Sequence, residues 1–153
     1  MQGTELREGA GRTVTAFDLA CRWLVRAARS EAEIRLRLTR IGYSARAVDE
    51  TLRRLRDQRF IDDAQLARNR AQTLADRGYG DAWIENDLLQ RGLIEALVQQ
   101  VLDALKPESE RAAAWLARGG GRRGAGAAWR GLLQRGFSAD TAESVLGALD
   151  DVQ

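Results

Sequence analysis

The stretch Leu88-Leu89-Gln90-Arg91-Gly92-Leu93 decides how this chain of 153 residues folds, because it returns in altered form at Leu38-Thr39-Arg40-Ile41-Gly42-Tyr43 and at Leu132-Leu133-Gln134-Arg135-Gly136-Phe137. Each copy places a leucine four residues before a glycine and a large apolar residue directly after it, and the glycines lie 50 and 44 residues apart. Counting six, nine, ten and thirteen residues on from the glycine gives Val48, Thr51, Leu52 and Leu55, then Val98, Val101, Leu102 and Leu105, then Ala142, Val145, Leu146 and Leu149. That spacing is one face of a helix repeated three times. Glycine is the residue that ends a helix most easily in the left-handed conformation, so each copy predicts helix, glycine C-cap, an apolar residue packing back, and a second helix.

A further helix precedes each pair. In the first copy it is expected from about Ala16 to Ala28 with Phe17, Ala20, Cys21 and Leu24 inward. Ser30 and Glu33 read as a capping box for the helix carrying Ile34, Leu38 and Ile41, and Ser44 caps the third. In the second copy Asp62 and Asp63 open a helix through Leu66, Ala71 and Leu74, and Arg77-Gly78-Tyr79-Gly80 turns the chain into a helix opened by Asp81. In the third the helices are expected near 108–118, 125–135 and 139–149. Alanine and leucine supply 45 residues while valine, isoleucine and threonine supply 19, a balance that favours helix because unbranched side chains lose little rotamer freedom there. The one proline, Pro107, falls between helical patterns. The expected fold is all-α: three tandem three-helix repeats, at residues 15–59, 60–106 and 107–153, forming an elongated, curved array behind a polar N-terminal tail at 1–14. Such arrays offer long surfaces in place of one deep pocket.

With no histidine and a single cysteine, Cys21, the usual zinc ligand sets, the Ser/His and Cys/His pairs and the commonest general base are missing, and no catalytic residue, cofactor or metal is expected. One cysteine also fits a reducing compartment. The longest uncharged run, Ala96 to Leu102, is seven residues, far short of the ~20 a membrane helix needs. The start, MQGTELREGAGR, lacks the apolar core of a secretory signal, so the expected location is the cytoplasm.

Charge is distributed in blocks. The net is +2, yet residues 15–77 carry 14 basic and 9 acidic side chains, 81–110 carry 2 and 7, 111–136 carry 6 and none, and 137–153 carry none and 4. Of the 24 basic residues all but Lys106 are arginine, whose planar fork suits phosphate and carboxylate equally. A solvated helical surface explains any single cluster as well as a binding face does. Gly119-Gly120-Gly121-Arg122-Arg123-Gly124 satisfies the dinucleotide pattern G-x-G-x-x-G, but a helix and not a strand precedes it, so it reads as an inter-helix loop with Arg122 and Arg123 available to an anion. Asp62/Asp63 and Asp150/Asp151 are better explained by capping and the helix dipole than by a cation. Trp23, Trp83, Trp115 and Trp129 fall beside core positions and read as packing.

The stretch Phe60-Ile61-Asp62-Asp63-Ala64-Gln65-Leu66-Ala67, followed by Arg77-Gly78-Tyr79-Gly80 and Leu88-Leu89-Gln90-Arg91-Gly92-Leu93, resembles the central signature of the RecX regulatory proteins. Ser30-Glu31-Ala32-Glu33-Ile34-Arg35-Leu36-Arg37-Leu38 with Gly42-Tyr43 resembles that family's first repeat, and the likeness covers about Phe17 to Leu149. It implies a cytoplasmic protein that binds the RecA recombinase filament and its single-stranded DNA, restrains ATPase and strand exchange, and so modulates recombination, DNA repair and the SOS response; a monomer is expected. The candidate contacts are Arg22, Arg26, Arg29, Arg35, Arg37, Arg53, Arg54, Arg56, Arg77, Arg122 and Arg123. A stand-alone DNA-binding protein and a helical adaptor for another protein are the competing readings. The third repeat departs from the family where the glycine cluster replaces a regular helix junction.

Overall fold

In the computed structural model, which describes residues 5–8 and 12–151, the elements run β1 (Glu5–Glu8), β2 (Arg12–Thr15), α1 (Ala16–Arg26), α2 (Glu31–Ile41), α3 (Ala45–Asp57), α4 (Asp63–Asp76), α5 (Asp81–Gln90), α6 (Glu95–Ala104), α7 (Glu108–Trp115), a wide π turn (Leu116–Gly120), α8 (Ala125–Gln134) and α9 (Ala139–Asp150). Short polar side chains set the helix starts. Thr15, Ser30, Ser44 and Ser138 stand in extended backbone and accept from the amides of Asp18, Glu33, Ala47 and Thr141, each at 3.1 Å. At the other ends Gly42, Gly92 and Gly136 take φ values of 116°, 78° and 85°, the left-handed conformation expected of them. Behind these glycines Tyr43, Leu93 and Phe137 are buried. No described helix is long and apolar enough to cross a membrane.

The chain divides into two compact units. The first takes the described residues up to Leu66 together with Arg91–Leu93. Its core joins Ala20 of α1, Ile34 and Leu38 of α2, Tyr43, Val48, Leu52 and Leu55 of α3, and Ile61. Part of the stretch read as a polar tail is paired instead: β1 and β2 form an antiparallel ribbon with Leu6 opposite Val14, while residues 1–4 and 9–11 lie outside the described residues. Val14 is buried and its carbonyl accepts from the Tyr43 hydroxyl at 2.9 Å, which ties the ribbon to the core.

A recurring device locks the starts of α2 and α5, the middle helices of the first two expected repeats. In the first unit the Ser30 hydroxyl donates to the Arg91 carbonyl, the Asp63 carboxylate accepts from the first amide of α2, Glu31, at 3.0 Å, and Gly92 lies against Ala32 so closely that a Cβ would collide. In the second unit, which holds Ala67–Gln90 and the described residues from Ile94 on, Gly80 takes the place of Ser30. There the Gly80 amide donates to the Arg135 carbonyl at 2.7 Å, Glu108 accepts from the first amide of α5, Asp81, at 3.0 Å, and Gly136 lies against Trp83. Glu108 also accepts from Thr141 Oγ1 at 2.8 Å and so joins α5 to α9. The core of this unit includes Ile84, Leu88, Val98, Ala112, Ala128, Leu132, Phe137 and Ala142.

Burial pushes the Asp63 carboxyl up from its ordinary value, against the hydrogen bond from the Glu31 amide, and the nearby carboxylates of Glu31, Asp62 and Glu33 add to the rise. A raised folded-state pKa means that the unfolded chain releases this proton first as pH rises. Stability from Asp63 is therefore full below the unfolded value and declines as pH climbs through the folded one. Asp63→Asn keeps an oxygen for Glu31 and removes the charge, so it is expected to be at least as stable as the parent at pH 7. The advantage should shrink below about pH 4, near the ordinary carboxylate range. Urea midpoints at the two pH values measure this.

Several local expectations change. Ser30 caps α2, but the Glu33 carboxylate faces Arg29 at 3.4 Å and Arg91 at 3.5 Å, so the reciprocal half of the capping box gives way to ion pairs. The helix expected near 108–118 ends at Trp115, and the chain widens into the π turn because Gly119 sits at φ 111°, outside helical space. Leu149, placed on the inward face of α9 by periodicity, is 51% exposed. The turn after α3 uses Arg59 at φ 57°, the one non-glycine residue with positive φ among those described.

Candidate nucleic-acid and partner interface

In the first unit five of the expected arginines show their partners within the fold. Arg35 pairs with Asp49 at 2.7 Å, Arg56 with Glu31 at 2.9 Å and Arg29 with Glu33 at 3.4 Å, while Arg37 covers the Trp23 ring at 4.3 Å and Arg54 the Phe17 ring at 3.8 Å. These five have part of their charge or their planar face engaged within the fold. Exposed ion pairs contribute little to stability, so they constrain a ligand less than they shape the surface. Arg22 and Arg26 on α1 and Arg53 on α3 are exposed.

In the second unit Arg77 is exposed, and its carbonyl is held by Arg135 at 3.2 Å. Arg122 and Arg123 border a groove of about 540 Å³ whose lining also includes Trp115, Arg130 and Gln134. Glycine makes this groove. A Cβ on Gly120 or Gly131 would strike the Trp115 ring, so their absence of side chains lets the indole lie against the π turn and against α8. No carboxylate lines the groove among the described residues. Three guanidinium groups beside an indole form a site for anions, with forks for phosphate or carboxylate and an aromatic surface for stacking. Arg130 was not singled out from sequence, since only the fold of the glycine loop brings it to Arg122 and Arg123.

Other arginines serve the fold itself. Arg111 is 7% exposed and donates to the carbonyls of Lys106 and Tyr79 at 2.9 Å each and to the Asp81 carboxylate. Arg70 grips Asp87 with two bonds of 2.9 Å, and that hydrogen bonding holds its guanidinium above the ordinary value. Arg135 lies over both Tyr79 and Trp115. Residue type alone does not separate these from ligand-binding arginines.

A family model describing the first three-helix domain of RecX matches residues 16–55, the span of α1, α2 and most of α3. The regulatory protein RecX of Halorhodospira halophila is 26% identical over 159 residues, with 95% of each chain covered. The regulatory protein RecX of Levilactobacillus brevis is 30% identical over 151 residues, 92% of this chain and 57% of the relative. The chain belongs to the RecX family. The Deinococcus radiodurans RecX is 33% identical over 115 residues, 71% of this chain and 55% of the relative. The chain thus spans little more than half the length of the Levilactobacillus and Deinococcus proteins and nearly the whole of the Halorhodospira one. A crystal structure of RecX from Lactobacillus salivarius superposes with a TM-score of 0.77 over 88% of this chain and 94% of that one, at 19% identity, a likeness of fold. A second crystal structure of regulatory protein RecX gives a TM-score of 0.68 at 25% identity, covering 85% of this chain and 69% of the other.

Proposed function

We propose that this chain is a non-catalytic cytoplasmic regulator that binds the RecA recombinase filament on single-stranded DNA and restrains its ATPase and strand exchange. The observation that carries the reading is membership of the RecX family, whose matched members are described as regulatory proteins. The repeat limits at 15–59, 60–106 and 107–153 belong to the same proposal, supported by the bond from Ser30 to the Arg91 carbonyl and its counterpart 50 residues on, from the Gly80 amide to the Arg135 carbonyl. Several weak anion-binding patches on one chain bind a repetitive filament far more tightly than any one of them would, because each attachment raises the effective concentration of the next. The patches are the exposed arginines of α1 and α3 and the groove of Arg122, Arg123 and Arg130. Lodged along a filament, they oppose the subunit movements that couple ATP turnover to strand exchange.

Co-sedimentation with recombinase filaments, run beside bare single-stranded DNA, tests this. The protein is expected to pellet with filaments at salt concentrations where it stays in the supernatant with bare DNA. Pelleting equally well with bare DNA favours the stand-alone DNA-binding reading, which the carboxylate-free groove also supports. If the groove holds phosphates, Arg122→Glu/Arg123→Glu/Arg130→Glu is expected to lower the salt slope of binding by about one unit for each phosphate no longer neutralised. An unchanged slope and affinity removes the groove from the interface.

A further inference from the structure

The first unit carries a surface feature of a different kind. Cys21, Leu24 and Val25 of α1, with Arg59 and Phe60 from the turn after α3, line an open groove of about 400 Å³. Val25 is 88% exposed and Phe60 is 51% exposed, so two large apolar side chains stand in water side by side with the groove. Scattered apolar residues on a surface need no account, but a contiguous set framing a concavity does. Cys21, Leu24 and Val25 lie three and four residues apart, one stripe of the helix surface. Arg22 and Arg26, both exposed, follow Cys21 and Val25 by one residue each, about 100° round the helix, so cations border the stripe. Asp18, the acidic residue of this helix, stands a turn nearer its start, beside the Thr15 cap.

Arg59 supplies the second observation. Gly42, Gly78, Gly92 and Gly136 hold the left-handed position after their helices, whereas after α3 the same conformation is imposed on an arginine. Phe60 follows in the place of Tyr43 and Phe137, its amide donating to the Leu55 carbonyl at 2.8 Å, yet it is half exposed where they are buried. A side chain kept in a conformation that glycine adopts more cheaply points to a use for that side chain. Here it sets a guanidinium on the rim of an apolar groove.

We infer that this groove is a docking site for an acidic amphipathic segment of a protein partner, whose apolar side chains enter between Val25 and Phe60 while its carboxylates meet Arg26 and Arg59. Charge complementarity chooses that occupant. The apolar slot suits side chains and not a sugar-phosphate backbone, and with a phosphate backbone disfavoured there the arginines on its rim are left to pair with carboxylates. The inference goes beyond the regulatory reading, and its test needs no recombinase, so either fails without the other.

Cys21 is the chain's one cysteine and lines the groove, which makes it a built-in reporter. Burial, and after it Asp18, pushes its thiol up against the opposing effect of Arg54, so alkylation is best followed at mildly alkaline pH. The whole protein is treated with iodoacetamide alone, with a synthetic helical peptide bearing leucines on one face and glutamates on the other, with a twin carrying lysines for the glutamates, and with a single-stranded oligonucleotide. The glutamate peptide is expected to slow alkylation of Cys21 severalfold, and the lysine twin and the oligonucleotide to leave it unchanged. Val25→Glu, at a surface position, is expected to abolish the protection. Arg59→Gly is expected to weaken it while the melting temperature holds or rises, a combination that a purely structural role for Arg59 does not produce. No protection by the glutamate peptide, equal protection by the lysine twin, or protection by the oligonucleotide overturns the inference.

Discussion

Gly80→Ala is expected to destabilise the second unit by about 3 kcal/mol or more, the sum of an overpacking term of about 1–3 kcal/mol and the loss of hydrogen bonds at about 1 kcal/mol each. The added methyl group has nowhere to go, since it would fall on the Gly136 carbonyl and the Phe137 nitrogen, which are backbone and move only with the turn that carries them. Relieving the collision separates the two chain segments. It breaks the bond from the Gly80 amide to the Arg135 carbonyl at 2.7 Å and the bond from the Ala82 amide to the Gly136 carbonyl at 3.2 Å. Gly147 gives the contrast, because it lies in α9 and a Cβ there meets nothing within 4 Å. Gly147→Ala is expected to stabilise by about 0.5–1 kcal/mol, the ordinary gain of alanine over glycine in a helix. Urea midpoints of the two variants should move in opposite directions. A shift of both by similar small amounts contradicts the account of the glycine contact.

Arg111→Met is expected to cost about 3 kcal/mol. The side chain is 7% exposed and its fork serves three acceptors from two stretches of chain, the Lys106 and Tyr79 carbonyls and the Asp81 carboxylate. Methionine fills much of the space but takes the donors from both part-buried carbonyls, at about 1–3 kcal/mol for each that water does not reach. The carboxylate matters less, because the Asp81 side chain is 43% exposed and regains water. Arg111→Lys is expected to recover a minor part of the loss, since one ammonium does not reproduce the geometry of the fork. Because the Arg111 side chain itself is buried and two of its three acceptors are uncharged carbonyls, the cost should change little between low and high salt. A loss below about 1 kcal/mol, or one that disappears in salt, identifies Arg111 as an ordinary surface cation.

The helices and their junctions were legible because they depend on local chemistry. Ser30, Ser44 and Ser138 reach amides three residues away, and Gly42, Gly92 and Gly136 relieve a steric conflict that any helix end meets. What stayed hidden depends on partners distant in sequence. Glu33 looked like the second half of a capping box until Arg91, 58 residues on, drew its carboxylate away. Arg111 lay in an arginine-rich stretch that read as surface, and only Tyr79 and Asp81 from another helix start make it structural. Arg130 joined the candidate groove through the folding of the glycine loop, a loop that periodicity treats as a gap. The ribbon at β1 and β2 was missed because its residues lack the apolar alternation that marks a strand. Its attachment comes from one buried valine and one tyrosine hydroxyl.

The proposed regulation is tested most directly by the single-stranded-DNA-dependent ATPase of the recombinase, followed with strand exchange as this protein is added to preformed filaments. The expected result is progressive inhibition of both activities at amounts up to one protein per recombinase subunit, weakened by charge reversal of Arg122, Arg123 and Arg130. Full ATPase and strand exchange at stoichiometric protein, under conditions where the protein is folded, contradicts it.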